Sequence, residues 1–325
     1  MIYNNQATLF IINNNAHMSQ NKEELIIKSL SDLLNILGNS NLDQGSSPTY
    51  YFRGESIYGR PLIPKLIRNA ILLGEHGMPG LVRGSSTIID IQKRLLNRLK
   101  RYAVHLYLQN NRPWQGEQPS VWEWLSVAQH HGLPTLLSDW TINPLVALYF
   151  SAWKHHGDTD GVFYVMKLHD KDTRDSKGLT VRVGQHEGIS YNRKDDKNKS
   201  TILPEIANNA LIVVPLVFTR RIEAQSARFI YAGYAGFHDV DEFKIKETVN
   251  KKITVNGLPL EFYSKLALDE LPNKIERPWK SLTKCRVPKE DKATLLRQLR
   301  NAQIHHGTLF SDLDGYADYL RMGGD

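Results

Sequence analysis

Apolar residues recur along the chain with two different spacings, so the sequence predicts a mixture of helices and strands. Segments with helical spacing, or with an apolar run between helix-capping residues, are Lys22–Leu37, Ile88–Leu108, Val121–His131, Asn143–His155 and Pro288–His305. Short β-prone segments are Thr49–Arg53, Gly161–Leu168, Ala210–Thr219, Arg228–Tyr234 and Lys252–Tyr263. No regular βαβ alternation connects them, so we expect an α+β fold: mixed small sheets, buried helices around one polar pocket, and a helical C-terminal segment.

The helix that follows Asn143 has the clearest start signal. Asn is a favoured N-cap residue, and Pro144 suits the first turn because its missing N–H would have no helical partner there. The run that follows is apolar on nearly all sides, so this helix should be buried. The polar segment Gln129–Thr141 comes before it and is predicted to be a loop between two buried helices.

Length and composition indicate a folded protein in a reducing compartment. The chain has 325 residues, of which 41% are hydrophobic, enough for a substantial core. Its one cysteine, Cys285, excludes a disulfide framework and a cysteine-based zinc cluster. No apolar run approaches the ~18 residues of a spanning helix, and no secretory signal is visible. We therefore expect a cytoplasmic protein with no membrane partner.

Three regions are predicted along the chain. Residues 1–20 are rich in asparagine and are expected to be a disordered extension, with the functional chain beginning near Met18. Residues 21–245 are expected to form the core domain. Residues 246–325 are expected to form a C-terminal subdomain packed on that core.

The chain is basic, with a formal net charge of +7. A basic surface attracts polyanions, so one interpretation is an anionic macromolecular target, either nucleic acid or protein. The other is a solvated basic surface without a partner. The basic stretches Arg193–Lys199 and Lys274–Arg300 contain few aromatic residues that could stack on bases. The sequence thus gives little support to base-specific recognition.

The first candidate site cluster is centred on Arg53, at the end of a predicted strand. Its other members are Phe52, Gly54 and Ser56. A guanidinium group offers two directed hydrogen bonds to a carboxylate or phosphate, and Gly54 would let a ligand approach the backbone. The alternative for Arg53 is a structural salt bridge with Glu55 or Asp139.

The second cluster is the polar segment before Asn143, which is itself a candidate. Its hydrogen-bonding side chains are Gln129, His130, His131, Thr135, Asp139, Trp140 and Thr141. With apolar helices on both sides, these groups need partners or a ligand, so the segment is either a pocket wall or a packing device. Asp139 could act as a general base, orient a neighbouring histidine, or cap the following turn.

The third cluster contains Glu223 and Gln225. On a strand, alternation would place them on the same face, where an acid and an amide can hold ribose hydroxyls; a surface strand with a polar face is the alternative. The paired histidines, such as His130 and His131, do not favour a metal. Neighbours on a helix point about 100° apart and rarely bind one ion together, so no metal site is expected.

Several of these segments resemble the FRG domain family. The most specific resemblance covers Ala128–Thr135, Leu137, Asp139–Thr141 and Asn143–Phe150, and further matching segments are Phe52–Gly54, Arg221–Phe229 and Val287–Gly315. The chain departs from many members at His131, Leu136 and Ser138, where they carry tyrosine, arginine and leucine. The missing arginine weakens any case for a second phosphate-binding cation in this loop. The resemblance implies a fold more firmly than an activity.

A second-level similarity is to ADP-ribosyltransferases. These enzymes use an arginine at the end of an early strand, a Ser/Thr-bearing strand followed by a helix, and a late acidic residue two positions after another polar one. Arg53, the segment Thr135–Thr141, and Glu223 with Gln225 occur in that order. The last position is glutamine rather than glutamate, which would lower the rate of transfer unless Glu223 acts instead.

Three functions stay open on this basis. The first is an NAD-dependent, ADP-ribosyltransferase-like effector, such as a toxin or phage-defence component. There Arg53 would hold the NAD phosphates or the adenosine ribose, His131 or Trp140 would line the nicotinamide, and Glu223 or Gln225 would hold its ribose. The second is a non-catalytic module for a nucleotide or a peptide carboxylate. The third is a metal-independent nuclease or hydrolase that uses Asp139 with a histidine.

Overall fold

The described residues come from a computed structural model of the chain. They are 24–38, 50–60, 62–69, 88–110, 120–153, 158–169, 180–183, 210–215, 217, 219–231, 254–255, 258–259, 277 and 279–323. The predicted extension over residues 1–20, with the predicted start at Met18, lies outside them.

One large mixed sheet forms the centre of the fold. The strands in chain order are β1 (Leu25–Ile26), β2 (Tyr50–Glu55), β3 (Leu137–Thr141), β4 (Gly161–Leu168), β5 (Thr180–Arg182), β6 (Leu211–Val214), β7 (Ala227–Tyr231), β8 (Thr254–Val255), β9 (Leu258–Pro259) and β10 (Trp279–Val287). Eight of them lie in the order β1-β10-β4-β2-β3-β7-β6-β5, while β8 and β9 form a separate pair. The α+β class is confirmed. One large sheet takes the place of several small ones because β4 pairs with both β2 and β10.

The helices pack on this sheet and at its edge. They are α1 (Leu30–Gly38), α2 (Ile88–Asn110), α3 (Val121–His130), α4 (Pro144–Ala152), α5 (Arg220–Ala224), α6 (Lys292–Asn301), α7 (His306–Leu309) and α8 (Leu313–Arg321), with a further short helix over 65–69. The predicted helical C-terminal segment is confirmed by α6, α7 and α8. Within the described ranges, no helix combines the length and apolar character needed to cross a membrane.

The two faces of the sheet carry two separate parts of the core. Alternation along β2 sends Tyr51 to one part and Phe52 to the other, as expected for a strand buried on both faces. Helix α4 packs on the second face, and its burial confirms the prediction from its apolar composition. Its start is also confirmed, since Asn143 Oδ1 accepts a hydrogen bond from the Leu145 N–H at 3.0 Å.

Helix α4 approaches the sheet closely at Ser151. A Cβ atom added at Gly54 would overlap the carbonyl oxygen of Ala147, and one added at Gly161 would overlap that of Ser151. The Ser151 hydroxyl donates to the carbonyl oxygen of Val162 at 2.9 Å. Gly54 is therefore needed so that α4 can pack against β2. The sequence had suggested a different reason for this glycine, the approach of a ligand to the backbone.

The predicted first helix has the wrong start, and the predicted loop Gln129–Thr141 has the wrong type. The helix predicted from Lys22 begins only at Leu30, because Ser29 and Asp32 cap its start. The Ser29 N–H donates to Asp32 Oδ2 at 2.9 Å, and the Asp32 N–H donates to Ser29 Oγ at 3.2 Å. The residues before this cap form β1, which pairs with β10. The predicted loop Gln129–Thr141 ends in a strand, β3, because its last residues pair with β7.

Strand β10 was not predicted, although it lies between β1 and β4. Its sequence mixes lysine and arginine with apolar residues, and only Trp279, Cys285 and Val287 are fully buried. Because β10 comes from the predicted C-terminal region and pairs with a core strand, the two predicted regions share one sheet.

Candidate functional site

A cavity of about 200 Å³ lies where β2 and β3 separate. The described residues of these strands form a single pair, Phe52 with Thr141. Predicted site residues that line the cavity are Phe52, Arg53, Gly54, Gln129, His130, Asp139, Trp140, Thr141 and Gln225. The fold therefore brings parts of all three sequence clusters to one place.

Arg53 is held by its own strand and by β3. Alternation puts Arg53 and Glu55 on the same face of β2, where the guanidinium donates to Glu55 Oε1 from Nε at 3.1 Å and from Nη2 at 2.6 Å. Its Nη1 donates to the backbone oxygen of Asp139 and bridges the gap between the strands. Of the two hypotheses for Arg53, the structure shows the salt bridge, and Arg53 also forms part of the cavity wall.

Glu55 is the buried partner of this arginine. Its side chain is 8% exposed and that of Arg53 is 13% exposed. Burial alone would raise the pKa of Glu55, but the charges of Arg53 and Arg68 outweigh it and hold that pKa below its usual range. Glu55 is thus a buried carboxylate, and loss of Arg53 would leave its charge poorly compensated.

Gln129 connects the end of α3 to β3. Its Nε2 donates to Asp139 Oδ1 at 2.8 Å, and its Oε1 accepts from Thr135 Oγ1 at 2.5 Å. Thr135 is fully buried, and its hydroxyl also accepts from the Leu137 N–H at 3.0 Å. Thr135 therefore stabilises the cavity wall without lining it. The Asp139 side chain is exposed, and among the described residues only its Oδ1 accepts a hydrogen bond.

Thr141 and Gln225 connect the sheet to the turn after α5. The Thr141 hydroxyl donates to the backbone oxygen of Gln225 at 2.7 Å and accepts from the Asn143 N–H at 2.9 Å. Gln225 Nε2 donates to the backbone oxygen of Leu309 at 3.1 Å. These bonds fix the position of the amide, and its Oε1 accepts no hydrogen bond within the described part of the chain.

His130 lines the cavity, while His131 is exposed and lies outside its wall. Burial, together with the nearby His131 and Arg221, lowers the pKa of His130 to about 4. The ring is neutral at pH 7, so it can accept a proton but does not supply one as a general acid. No three His, Cys, Asp or Glu side chains of the described ranges are grouped so that they could hold a metal ion.

The Trp140 side chain belongs to the core rather than to the open part of the cavity. It is 3% exposed, and its Nε1 donates to Ser138 Oγ at 3.1 Å. Strand alternation places it on the face opposite to Asp139 and Thr141. The hypothesis that its ring lines a nicotinamide is therefore not favoured by this geometry.

Residues 48–160 match the FRG domain. The chain contains an FRG domain. This range supplies β2, α3, β3 and α4, which form most of the cavity wall. No curated protein and no solved structure shows a significant match to the chain.

The rest of the FRG cavity wall comes from beyond the matched range, where the strand expected to carry Glu223 and Gln225 is instead a helix. Thr219 Oγ1 accepts from the Ile222 N–H at 3.3 Å and starts a helix, α5, in place of the expected strand. Residues two apart on a helix point about 200° apart. Glu223 is accordingly exposed and outside the wall, whereas Gln225 lines it. Thr219, a favoured N-cap residue, was the sequence signal for this helix.

Arg221 is a charged residue of the cavity wall to which the sequence hypotheses assigned no role. Its Cζ lies 4.4 Å from the ring centre of Phe310, a cation–π contact. Burial lowers the pKa of Arg221, and the carboxylates of Asp312 and Asp139 counter this only in part. In the part of the chain that the structure describes, no hydrogen bond or ion pair holds this guanidinium.

Two further predicted ligand-binding residues lie outside the cavity wall. Asn143 caps α4 and does not line the cavity. Ser56 also lies outside the wall, and its backbone oxygen accepts from Lys292 Nζ at 2.8 Å. Both residues stabilise the elements that carry the site.

Proposed function

We propose that the FRG cavity binds an anionic ligand of the nucleotide class, with NAD as the first candidate. The observation that carries this proposal is Arg221, a partly buried cation that faces a cavity and has no ion pair among the described residues. Such a group costs desolvation energy, which an anionic ligand would recover through charge-assisted hydrogen bonds. Arg53 contributes positive charge to the same wall, but three of its five N–H donors already bond to Glu55 and to the backbone of β3.

The polar groups of the cavity suit the parts of a nucleotide. A phosphate would lie at Arg221, since the Asp139 carboxylate on the sheet side would repel it. Ribose hydroxyls would donate to Asp139 and to the Oε1 of Gln225. Apolar side chains, including Phe150 and Phe229, complete the wall and exclude water.

The size of the cavity limits how much of the ligand it takes in. Pockets that enclose a drug-sized ligand measure roughly 300–1,000 Å³, and this one measures about 200 Å³. One portion of the nucleotide, such as a ribose with its phosphate, would be enclosed, and the remainder would lie outside the cavity.

The experiment is calorimetric titration of NAD into the wild-type chain and into two matched variants. Arg221→Gln should weaken binding at least ~10-fold, because a charge-assisted hydrogen bond contributes about 1.5–3 kcal/mol. Arg220→Gln removes the same charge from the exposed neighbouring position and should leave affinity within about twofold. Absence of NAD binding to the wild-type chain, or equal loss in both variants, would contradict the proposal.

ADP-ribosyl transfer from NAD is the second candidate. The observation in its favour is that Arg53, Thr141 and Gln225, which follow the order of the similar enzymes, border one cavity. Glu223 lies outside it, so Gln225 or Asp139 would have to hold the nicotinamide ribose. Neither offers a glutamate at the expected position, which favours binding over rapid transfer.

Release of nicotinamide, measured by mass spectrometry, distinguishes the two candidates. If transfer occurs, Gln225→Ala should reduce release at least ~10-fold through the lost ribose contact, and Glu223→Ala should leave it unchanged. Binding of NAD without release in the wild-type chain would identify a binding module. Loss of release in Glu223→Ala alone would show that the ribose does not enter this cavity.

A further inference from the structure

A second and larger cavity, of about 680 Å³, lies between α4, α6 and α8. We call it the C-terminal groove; its walls share no residue with the FRG cavity. Its volume is within the range of pockets that hold small molecules. Most of the wall is apolar and comes from Tyr149, Trp153, Leu296, Ile304 and Met322.

Flat ring surfaces are fixed in this wall by stacking. Trp153 stacks on His306 with ring centres 4.8 Å apart and an angle of 17° between the planes. His305 stacks on Tyr319 at 4.7 Å and 25°. Rings held in this way offer a preorganised surface to an aromatic ligand, so little side-chain freedom is lost when it binds.

The charged groups that the described residues place in the groove are basic. Arg297 and Arg300, three residues apart on α6, lie on one side of it, and none of its described wall residues is acidic. The Arg297 guanidinium carries five N–H donors, and one of them donates to Thr294 Oγ1 at 3.2 Å. The remaining donors suit the fork of a carboxylate.

We propose that the C-terminal groove binds a small aromatic carboxylate. The aromatic body would lie against Trp153 and Leu296, and the carboxylate would accept hydrogen bonds from Arg297. The combination of an apolar wall with basic groups on one side selects against neutral aromatic compounds and against small hydrophilic anions. This site is independent of the function proposed for the FRG cavity.

Calorimetric titration with three probes tests the proposal on the full chain. 2-Naphthoate has both the aromatic body and the carboxylate, 2-naphthamide has the body without the charge, and acetate has the charge alone. 2-Naphthoate should bind with a Kd below ~1 mM. The other two probes should bind at least ~10-fold more weakly, because each lacks one of the two interactions.

Two variants at exposed positions of α6 locate the binding site. Ala293→Trp should fill the groove and abolish binding of 2-naphthoate, and Arg297→Gln should weaken it at least ~10-fold. Arg321→Gln, an exposed charge outside the wall, is the matched control and should bind as the wild type does. Thermal unfolding confirms that each variant is folded.

Any of four results would overturn the proposal. One is the absence of 2-naphthoate binding to the wild-type chain. Another is equal binding of 2-naphthoate and 2-naphthamide, and a third is binding that Ala293→Trp and Arg297→Gln leave unchanged. The fourth is a concentration-dependent dimer in sedimentation that Ala293→Trp abolishes, which would assign the groove to a second copy of the chain.

Discussion

The two arginines of the FRG cavity, Arg53 and Arg221, belong to different elements, β2 and α5, and are held very differently. Arg53 belongs to the sheet wall and donates to Glu55 and to the backbone of β3. Arg221 belongs to a short helix beyond the matched FRG range, and its described contact is the ring of Phe310. The first arginine completes a buried ion pair. The second places at the cavity a cation that has no ion pair among the described residues and that Asp312 and Asp139 compensate only in part.

Under the proposed function, the most recognisable residue of the motif is not the one that contacts the ligand. Polar residues that build the wall need hydrogen-bond or charge partners even without a ligand, because burying an unpaired polar group costs free energy. Residues that bind the ligand keep part of their hydrogen-bonding capacity unused. By this criterion Arg221 and Gln225 are the stronger candidates for ligand contact, and Arg53 is mainly a structural residue.

Arg53→Ala tests the structural side of the comparison and should have the largest effect on stability. Removing one partner of a buried pair costs about 3–5 kcal/mol, because the Glu55 charge is left poorly compensated. Urea unfolding measures this loss. The double change Arg53→Met with Glu55→Leu should recover only part of it, because Arg68 then loses its ion pair with Glu55. If Arg53→Ala is as stable as the wild type but no longer binds NAD, the roles assigned to the two arginines are reversed.

Gly54→Ala sharpens the same comparison with a smaller effect. The added methyl group would overlap the backbone of α4 and should cost about 2–3 kcal/mol in the free energy of unfolding. Gly38→Ala is the matched control, since a Cβ there meets no atom within 4 Å. Equal stability of both variants would show that α4 does not pack against β2 as described.

His130 gives the smallest effect and a pH dependence. Its pKa falls from the ordinary 6.5 to about 4 in the folded chain, so between these values the unfolded chain binds the proton more readily. Wild-type stability should therefore fall between pH 6.5 and pH 4 relative to His130→Gln. The difference is on the order of 1–2 kcal/mol after allowance for solvent screening of this partly exposed ring. Unfolding at both pH values measures it, and parallel curves would contradict the burial of His130.

Local sequence signals predicted the elements whose burial is nearly complete. The start of α4 at Asn143 and the span of β4, Gly161–Leu168, are confirmed because a cap residue and a continuous apolar run define them without help from distant residues. The same holds for α3, which ends one residue before its predicted end.

The signals failed where tertiary pairing decides the structure. Strand β10 carries charged residues on its exposed positions and is a strand because β4 and β1 flank it. The site shows the same limit. The sequence could indicate Arg53, Asp139 and Gln225 as polar residues, but whether a charge is already paired depends on neighbours that only the fold brings together. Arg221 was missed for this reason.

The most direct test of the difference between the two arginines is a crystal structure of the chain with NAD bound. We predict a phosphate or another anionic group of the ligand within hydrogen-bonding distance of the Arg221 guanidinium, while Arg53 keeps its bonds to Glu55. An anionic group held by Arg53 after it has left Glu55, with Arg221 directed away from the ligand, would contradict this assignment.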